Sequence, residues 1–101
     1  MDSYRQGDTQ PPYTAVLRDG TQPYDASTAS SVTVRGWRDG VELFARAGTA
    51  DPSGLVTMNW VAGDLDEPGP LYTVIEVVRS SGRQSFPPHG FLKTVVHPAT
   101  P

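Results

Sequence analysis

Apolar residues in this chain come in short runs that alternate with polar ones, and Gly or Pro closes most of the runs. Alternation with period two marks half-buried strands rather than helices. Residues 13–18 read as a first strand, stopped by Asp19-Gly20, a strong hairpin signal. Residues 22–25 return the chain, and 26–30 form a small-residue crossover. In 31–38, Val32 and Val34 face one way and Thr33 and Arg35 the other. By parity Trp37 falls with Thr33 and Arg35, but Gly36 interrupts the strand. A bulge at that glycine is expected to turn Trp37 inward.

Asp39-Gly40 is a second hairpin signal. In 41–47, Val41, Leu43 and Ala45 share one face and Glu42 and Arg46 the other. Phe44 falls on the polar face, so it is expected to cover the sheet edge or to meet a partner. A loop over 48–54 leads to a strand over 55–61, with Val56, Met58 and Trp60 on one face. Gly63 to Glu67 has room for a single helical turn before Pro68. Residues 71–79 carry large side chains on both faces: Leu71, Ile75 and Val77 on one, Tyr72, Val74 and Val78 on the other. This strand is expected to be central and covered on both sides. Residues 83–86, a Pro87-Pro88-His89-Gly90 corner and a last strand over 91–96 complete the pattern.

The segments are rich in β-branched and aromatic residues, which fit a pleated surface better than a helix. About seven strands at spacings of roughly 8–12 residues predict an all-β chain, an immunoglobulin-like antiparallel β-sandwich. The expected organisation is an extended N-terminal arm over 1–12, a sandwich over 13–97 and a tail over 98–101. The arm ends in Pro11-Pro12, which favours extended backbone and does not fit a central strand. The expected core includes Trp37, Trp60, Tyr72, Val74, Ile75 and Phe91.

Composition supports one domain. The chain has 101 residues, and its 10 Gly and 10 Pro approach a fifth of it, against about 12 % in average proteins. They sit between apolar runs, which signifies many turns and not disorder. There is no Cys, so disulfides, thiolate metal sites and Cys nucleophiles are excluded. Eight basic and eleven acidic residues give a net charge of −3. The basic residues are scattered, without the clustered footprint of a nucleic-acid binder. No apolar run is long enough for a membrane helix. The first residues lack the apolar core of a signal peptide, so synthesis in the cytoplasm is expected.

Candidate chemistry is sparse. Asp64, Asp66 and Glu67 form the densest acidic cluster, and hard cations bind such oxygen sets. The spacing fits no calcium loop, and a solvated acidic turn is the commoner fate. His89 and His97 are the two histidines. Zinc would need further ligands beside them, and a hydrolytic triad would need a serine held against one. No Gly-x-Ser-x-Gly elbow, P-loop or dinucleotide fingerprint is present. Trp37 and Trp60 could offer ring faces to a sugar, although buried Trp is more usual in a sandwich. These residues point to a protein that is not an enzyme and uses no cofactor.

The order Arg5-Gln-Gly-Asp-Thr9, Leu17-Arg-Asp-Gly20, Pro52-Ser-Gly-Leu-Val56, Trp60, Gly63-Asp-Leu-Asp-Glu-Pro-Gly69, Leu71-Tyr72, Glu76, Gly82 and Phe86-Pro-Pro-His-Gly-Phe91 resembles the N-terminal domain of phage upper baseplate proteins. The resemblance spans about residues 5–97 and rests on turn glycines, corner prolines and core aromatics. Pro70 is an extra residue relative to that pattern, and the family domain normally leads into a longer chain.

The resemblance implies an immunoglobulin-like sandwich that is a structural protein of a tailed-phage virion, in the tail tip or baseplate. It would be made in the host cytoplasm. Its partners would be other virion proteins, in a homo-oligomer within the particle, with no nucleic acid and no membrane. Capsid decoration is a second structural expectation, and a free adhesion or carbohydrate-binding module a third. That third expectation calls for a surface strip of aromatics around Trp37. Candidate interface residues are Tyr4, Arg5, Gln6 and Asp8 of the arm, together with Phe44.

Overall fold

Leu71, Thr73, Ile75 and Val77 are fully buried and alternate with half-buried Tyr72, Val74, Glu76 and Val78. That alternation puts the longest strand at the centre of the fold. The computed structural model describes residues 3–99. Among these the chain is all-β, with strands β1 (Ser3–Arg5), β2 (Tyr13–Val16), β3 (Arg18–Asp19), β4 (Gln22–Pro23), β5 (Ser31–Arg38), β6 (Val41–Ala47), β7 (Thr49–Ala50), β8 (Leu55–Met58), β9 (Gly69–Arg79), β10 (Gly82–Phe86) and β11 (Leu92–His97).

The large sheet has the order β1-β11-β9-β5-β6, with β10 also paired to β9. One edge of β9 takes β5 along Tyr72–Val78. The other edge is shared end to end, by β10 at residues 75–79 and by β11 at 69–73. The corner 87–90 lies between those two ladders. A second sheet has the order β2-β8-β7, and β3 with β4 forms a separate hairpin. Most pairs are antiparallel; β1 runs parallel to β11. Both Asp-Gly signals fall at two-residue hairpin links, Gly20-Thr21 between paired Asp19 and Gln22 and Asp39-Gly40 between paired Arg38 and Val41. Asp39 and Gly40 both have positive φ (52° and 77°), as a hairpin turn matched to strand twist demands.

The core lies between the two sheets. The β9 residues Leu71, Ile75 and Val77 and the β5 residues Val32 and Val34 meet Val56 and Met58 of β8 and Tyr13 of β2. Burying each such aliphatic side chain is worth about 2 kcal/mol. Trp60, just past β8, is the aromatic centre. Its indole packs edge to face against Tyr4 (5.2 Å), Tyr13 (5.7 Å) and Phe44 (6.0 Å).

Several expectations are corrected. Residues 3–12 of the expected extended arm are fastened to the fold. β1 pairs with β11, the Gln6 amide donates to the His97 carbonyl (2.7 Å), and the Gly7 amide donates to the Leu65 carbonyl (2.8 Å). Tyr4 is only 3 % exposed. Residues 1 and 2 of the expected arm, and 100 and 101 of the expected tail, lie outside the described residues.

The bulge near Gly36 exists, but the extra residue is Leu43 on β6. Gly36 faces Phe44 while Trp37 faces Glu42. β5 therefore keeps its parity, and Trp37 stays on the outer face. β6 loses its parity instead. Phe44 turns inward and is buried, at 8 % exposure, while Val41, Leu43 and Ala45 are exposed. The face expected to carry Val41, Leu43 and Ala45 together is thus not the inward face. Gly36 is what admits the Phe44 ring: a Cβ there would lie 2.5 Å from the ring's Cζ.

β9 is central in its sheet, but among the described residues no second sheet covers Tyr72 and Val74. They and Trp37 are half-buried on the outer face. Phe91 precedes β11 and is 55 % exposed. Trp60 and Ile75 lie in the core. At 61–66 the chain makes successive turns, with the Asp64 amide donating to the Val61 carbonyl (3.0 Å) and Leu65 plugged into the core.

Candidate functional site

The outer face of the large sheet is built in rows by the strand register. Trp37 of β5 stands opposite Tyr72 of β9, Tyr72 opposite Lys93 of β11, and Trp37 opposite Glu42 of β6. One row thus reads Glu42, Trp37, Tyr72, Lys93. Phe91 closes over its middle, edge to face with Trp37 (5.5 Å, 66°) and with Tyr72 (6.1 Å, 63°). The next row sets Ala45, Arg35 and Val74 side by side.

Arg35 ties this face together. Its Nε donates to Glu76 at 2.7 Å and its Nη1 to Glu42 at 2.8 Å. Arg83 adds a looser ion pair to Glu76 at 3.6 Å. The two carboxylates, Glu76 first, push the Arg35 guanidinium further above its already high range. Three aromatic rings thus lie beside the Arg35, Glu42 and Glu76 ion pairs.

The sequence-derived interface residues are placed differently. Tyr4 is a core side chain whose hydroxyl donates to the Pro12 carbonyl (3.0 Å). Phe44 lies under the Arg46 guanidinium, which sits 4.9 Å above its ring. Gln6 is bound on both sides: its amide nitrogen donates to the Asp66 carbonyl (2.8 Å) and its amide oxygen accepts from the Ala99 N–H (3.3 Å). Arg5 is exposed, and Asp8 accepts the Arg5 amide hydrogen (3.0 Å). Ser3, Tyr4, Arg5, Asp8, Pro11 and His97 line an open cleft of about 290 Å³. The structure therefore brings part of the predicted set together, but as a fastening of the N-terminus to the fold.

The chemical candidates are dispersed. The Asp64 carboxylate grips Arg46 (2.5 and 3.2 Å) and accepts the Val61 amide (2.8 Å). It is a loop clasp. Among the described residues, no group of three or more His, Cys, Asp or Glu is placed to hold a metal ion. His89 is exposed in the 87–90 corner and His97 is exposed at the end of β11. No helix among the described residues is long and apolar enough to cross a membrane.

The core assignment missed the outer aromatic face because Trp37, Tyr72, Val74 and Phe91 all looked like core residues by hydrophobicity; only the binding-module expectation called for exposed aromatics around Trp37. The available signal was charge: Arg35, Glu76 and Lys93 share their face. Three adjacent strands that each carry a charged residue on one side do not bury that side cheaply.

Comparison with protein families, with curated proteins and with solved structures finds no match to this chain.

Proposed function

We propose that this chain is a non-enzymatic docking module, an immunoglobulin-like sandwich that works as a structural component of a tailed-phage virion, in the tail tip or baseplate. The observation that carries the docking part is the Trp37–Phe91–Tyr72 cluster on the outer face. The core closes around Trp60 without it. Phe91 is exposed, Trp37 and Tyr72 are partly so, and a contiguous apolar cluster left open to water marks a contact surface.

Strand order supports the finer fold reading. The orders β2-β8-β7 and β11-β9-β5-β6 correspond to the two sheets of an immunoglobulin-like domain with one added edge strand. Tyr13 and Thr73 then bridge the sheets between the two strands that a disulfide joins in antibody domains. The virion assignment itself rests on the resemblance of residues 5–97.

The ring geometry favours a protein partner over a sugar. A pyranose stacks flat on a ring face, and a sugar strip needs rings roughly in line. Here the rings stand at 66° and 63° to Phe91 and make a mound, which suits a pocket in another protein.

The test is immunogold electron microscopy on particles of a phage encoding the chain, with wild type and Phe91→Ser compared. Label at the tail end for wild type, lost for the variant, is the expected result. Label over the head moves the protein to the decoration class. Absence of label from intact particles overturns the virion reading.

A further inference from the structure

We infer that the outer face of the large sheet is the site of a two-fold symmetric contact with a second copy of this chain. This deepens the docking reading and rests on it.

The argument comes from the row across the sheet. From β6 to β11 it runs Glu42, Trp37, Tyr72, Lys93: acid, aromatic, aromatic, base. Such a row is its own complement. A two-fold axis lying in the contact plane, along the strands and between β5 and β9, sets β6 of one copy over β11 of the other. Glu42 then meets Lys93 of the second copy, twice over, and the Trp37–Phe91–Tyr72 clusters of the two copies meet at the axis. An isologous contact demands this kind of self-complementarity.

The neighbouring rows obey the same operation. Arg35 falls opposite Val74 of the second copy, and Thr33 opposite Glu76, so no like charges are opposed. Phe91, packed edge to face on Trp37 and Tyr72, enters the contact together with them. Beside the cluster the outward residues Ala45 and Ala47 of β6 end at Cβ and add no bulk of their own. Arg35 enters the contact already paired to Glu42 and Glu76, so it does not become an uncompensated buried charge. Sheets stacked with aligned strands, about 10 Å apart, are an ordinary packing.

Lateral pairing through the β6 edge is a poorer alternative. The bulge at Leu43 breaks the edge ladder, and a bulge is a common device against strand addition. The face, not the edge, is what the strand register makes self-complementary.

The experiment is sedimentation equilibrium on the purified chain, for wild type, Glu42→Lys, Lys93→Glu and the Glu42→Lys/Lys93→Glu pair. Thermal melts are run in parallel to show that each variant is folded. Wild type is expected to be dimeric at concentrations of about 10–100 μM. Each single charge reversal opposes like charges twice in the dimer and weakens it by about 10-fold or more. The double reversal restores the opposite-charge contacts and brings the dimer back. If Glu42→Lys is destabilised through its Arg35 contact, Lys93→Glu and the rescue still decide the matter.

A wild-type monomer throughout this range overturns the proposal. So does a dimer indifferent to both reversals, which uses some other surface. Either result leaves the docking reading open to its own test, because Phe91→Ser would still remove the chain from particles. Loss of that effect, with the dimer intact, would instead remove the virion partner and keep the self-contact.

Discussion

The Tyr13 and Thr73 hydroxyls meet across the two sheets at 2.7 Å, both buried. This bond joins β2 to β9 beside the Trp60 indole, 5.7 Å from the Tyr13 ring. It is a polar tie through an apolar core, and each partner satisfies the other. Removing one partner leaves the other buried and unpaired, which costs more than the bond itself contributes.

Tyr13→Phe is expected to destabilise the fold by about 1–2 kcal/mol, and Thr73→Val by a similar amount. The double variant should cost clearly less than the sum. Urea denaturation of the four proteins gives the coupling, and strict additivity would show that the two hydroxyls do not depend on each other.

The same contact sets the alkaline limit. Burial pushes the Tyr13 phenol above its ordinary range; the bond to Thr73 acts the other way, and the nearby Tyr4 adds to the rise. A group with a raised folded pKa stabilises the fold fully below its unfolded value, about 10. That contribution is lost as pH rises through the folded value. Stability should therefore fall above pH of about 10 in wild type, and less steeply in Tyr13→Phe. Parallel alkaline limbs in the two proteins would count against this.

Two carboxylates act at the acid end. Asp51 is held below its ordinary range first by the Ser53 hydroxyl and then by the Leu55 amide. Asp25 is lowered by the Ser27 hydroxyl and backbone amide. Their contribution is present above the ordinary carboxylate value of about 3.9 and lost as pH falls through the lower folded values. Carboxyl ¹³C titration should place both below the ordinary carboxylate value, and Ser53→Ala should raise Asp51 alone.

Gly36→Ala is expected to cost about 1–3 kcal/mol, because the new methyl meets the Phe44 ring. Pairing it with Phe44→Leu should recover part of that loss, since the ring is what the methyl strikes. A melt in which the second change adds its full cost to the first would argue that the collision is relieved elsewhere.

The Arg46–Asp64 pair fastens the 61–66 turn to β6, with both side chains mostly buried. Asp64→Asn keeps an acceptor for the Val61 amide and is expected to cost about 1 kcal/mol. Asp64→Ala also frees that amide and should cost about 2 kcal/mol. Hydrogen exchange should quicken at Val61 only in the alanine variant.

Much of the strand framework was readable from alternation and from the two Asp-Gly pairs, because both are local signals. β5 and β9 show it: their inward valines and isoleucine follow period two without a break. β6 shows the limit. A single extra residue, Leu43, reverses parity, and the residue responsible sits on the strand opposite the glycine that advertises the bulge. The placement of β1 was not legible at all. Three residues beside β11 gain their ladder from a segment more than ninety positions away, and a short polar stretch carries no periodicity of its own. The outer cluster was misread for a related reason. Hydrophobicity reports the wish to leave water, and it does not say whether the shelter is the chain's own core or another molecule.

Phe91 stands on a segment moored at both ends. Phe86, just before the 87–90 corner, pairs with Ile75, and Leu92, just after Phe91, pairs with Thr73, so both anchor points lie on one rigid strand. A change in length or composition of that corner cannot slide either ladder without losing several bonds at once. The corner is therefore the place where sequence can drift between lineages while the scaffold stays fixed. Changes to the surface around Phe91 can then be confined to those few positions, leaving the two ladders on β9 as a constant frame.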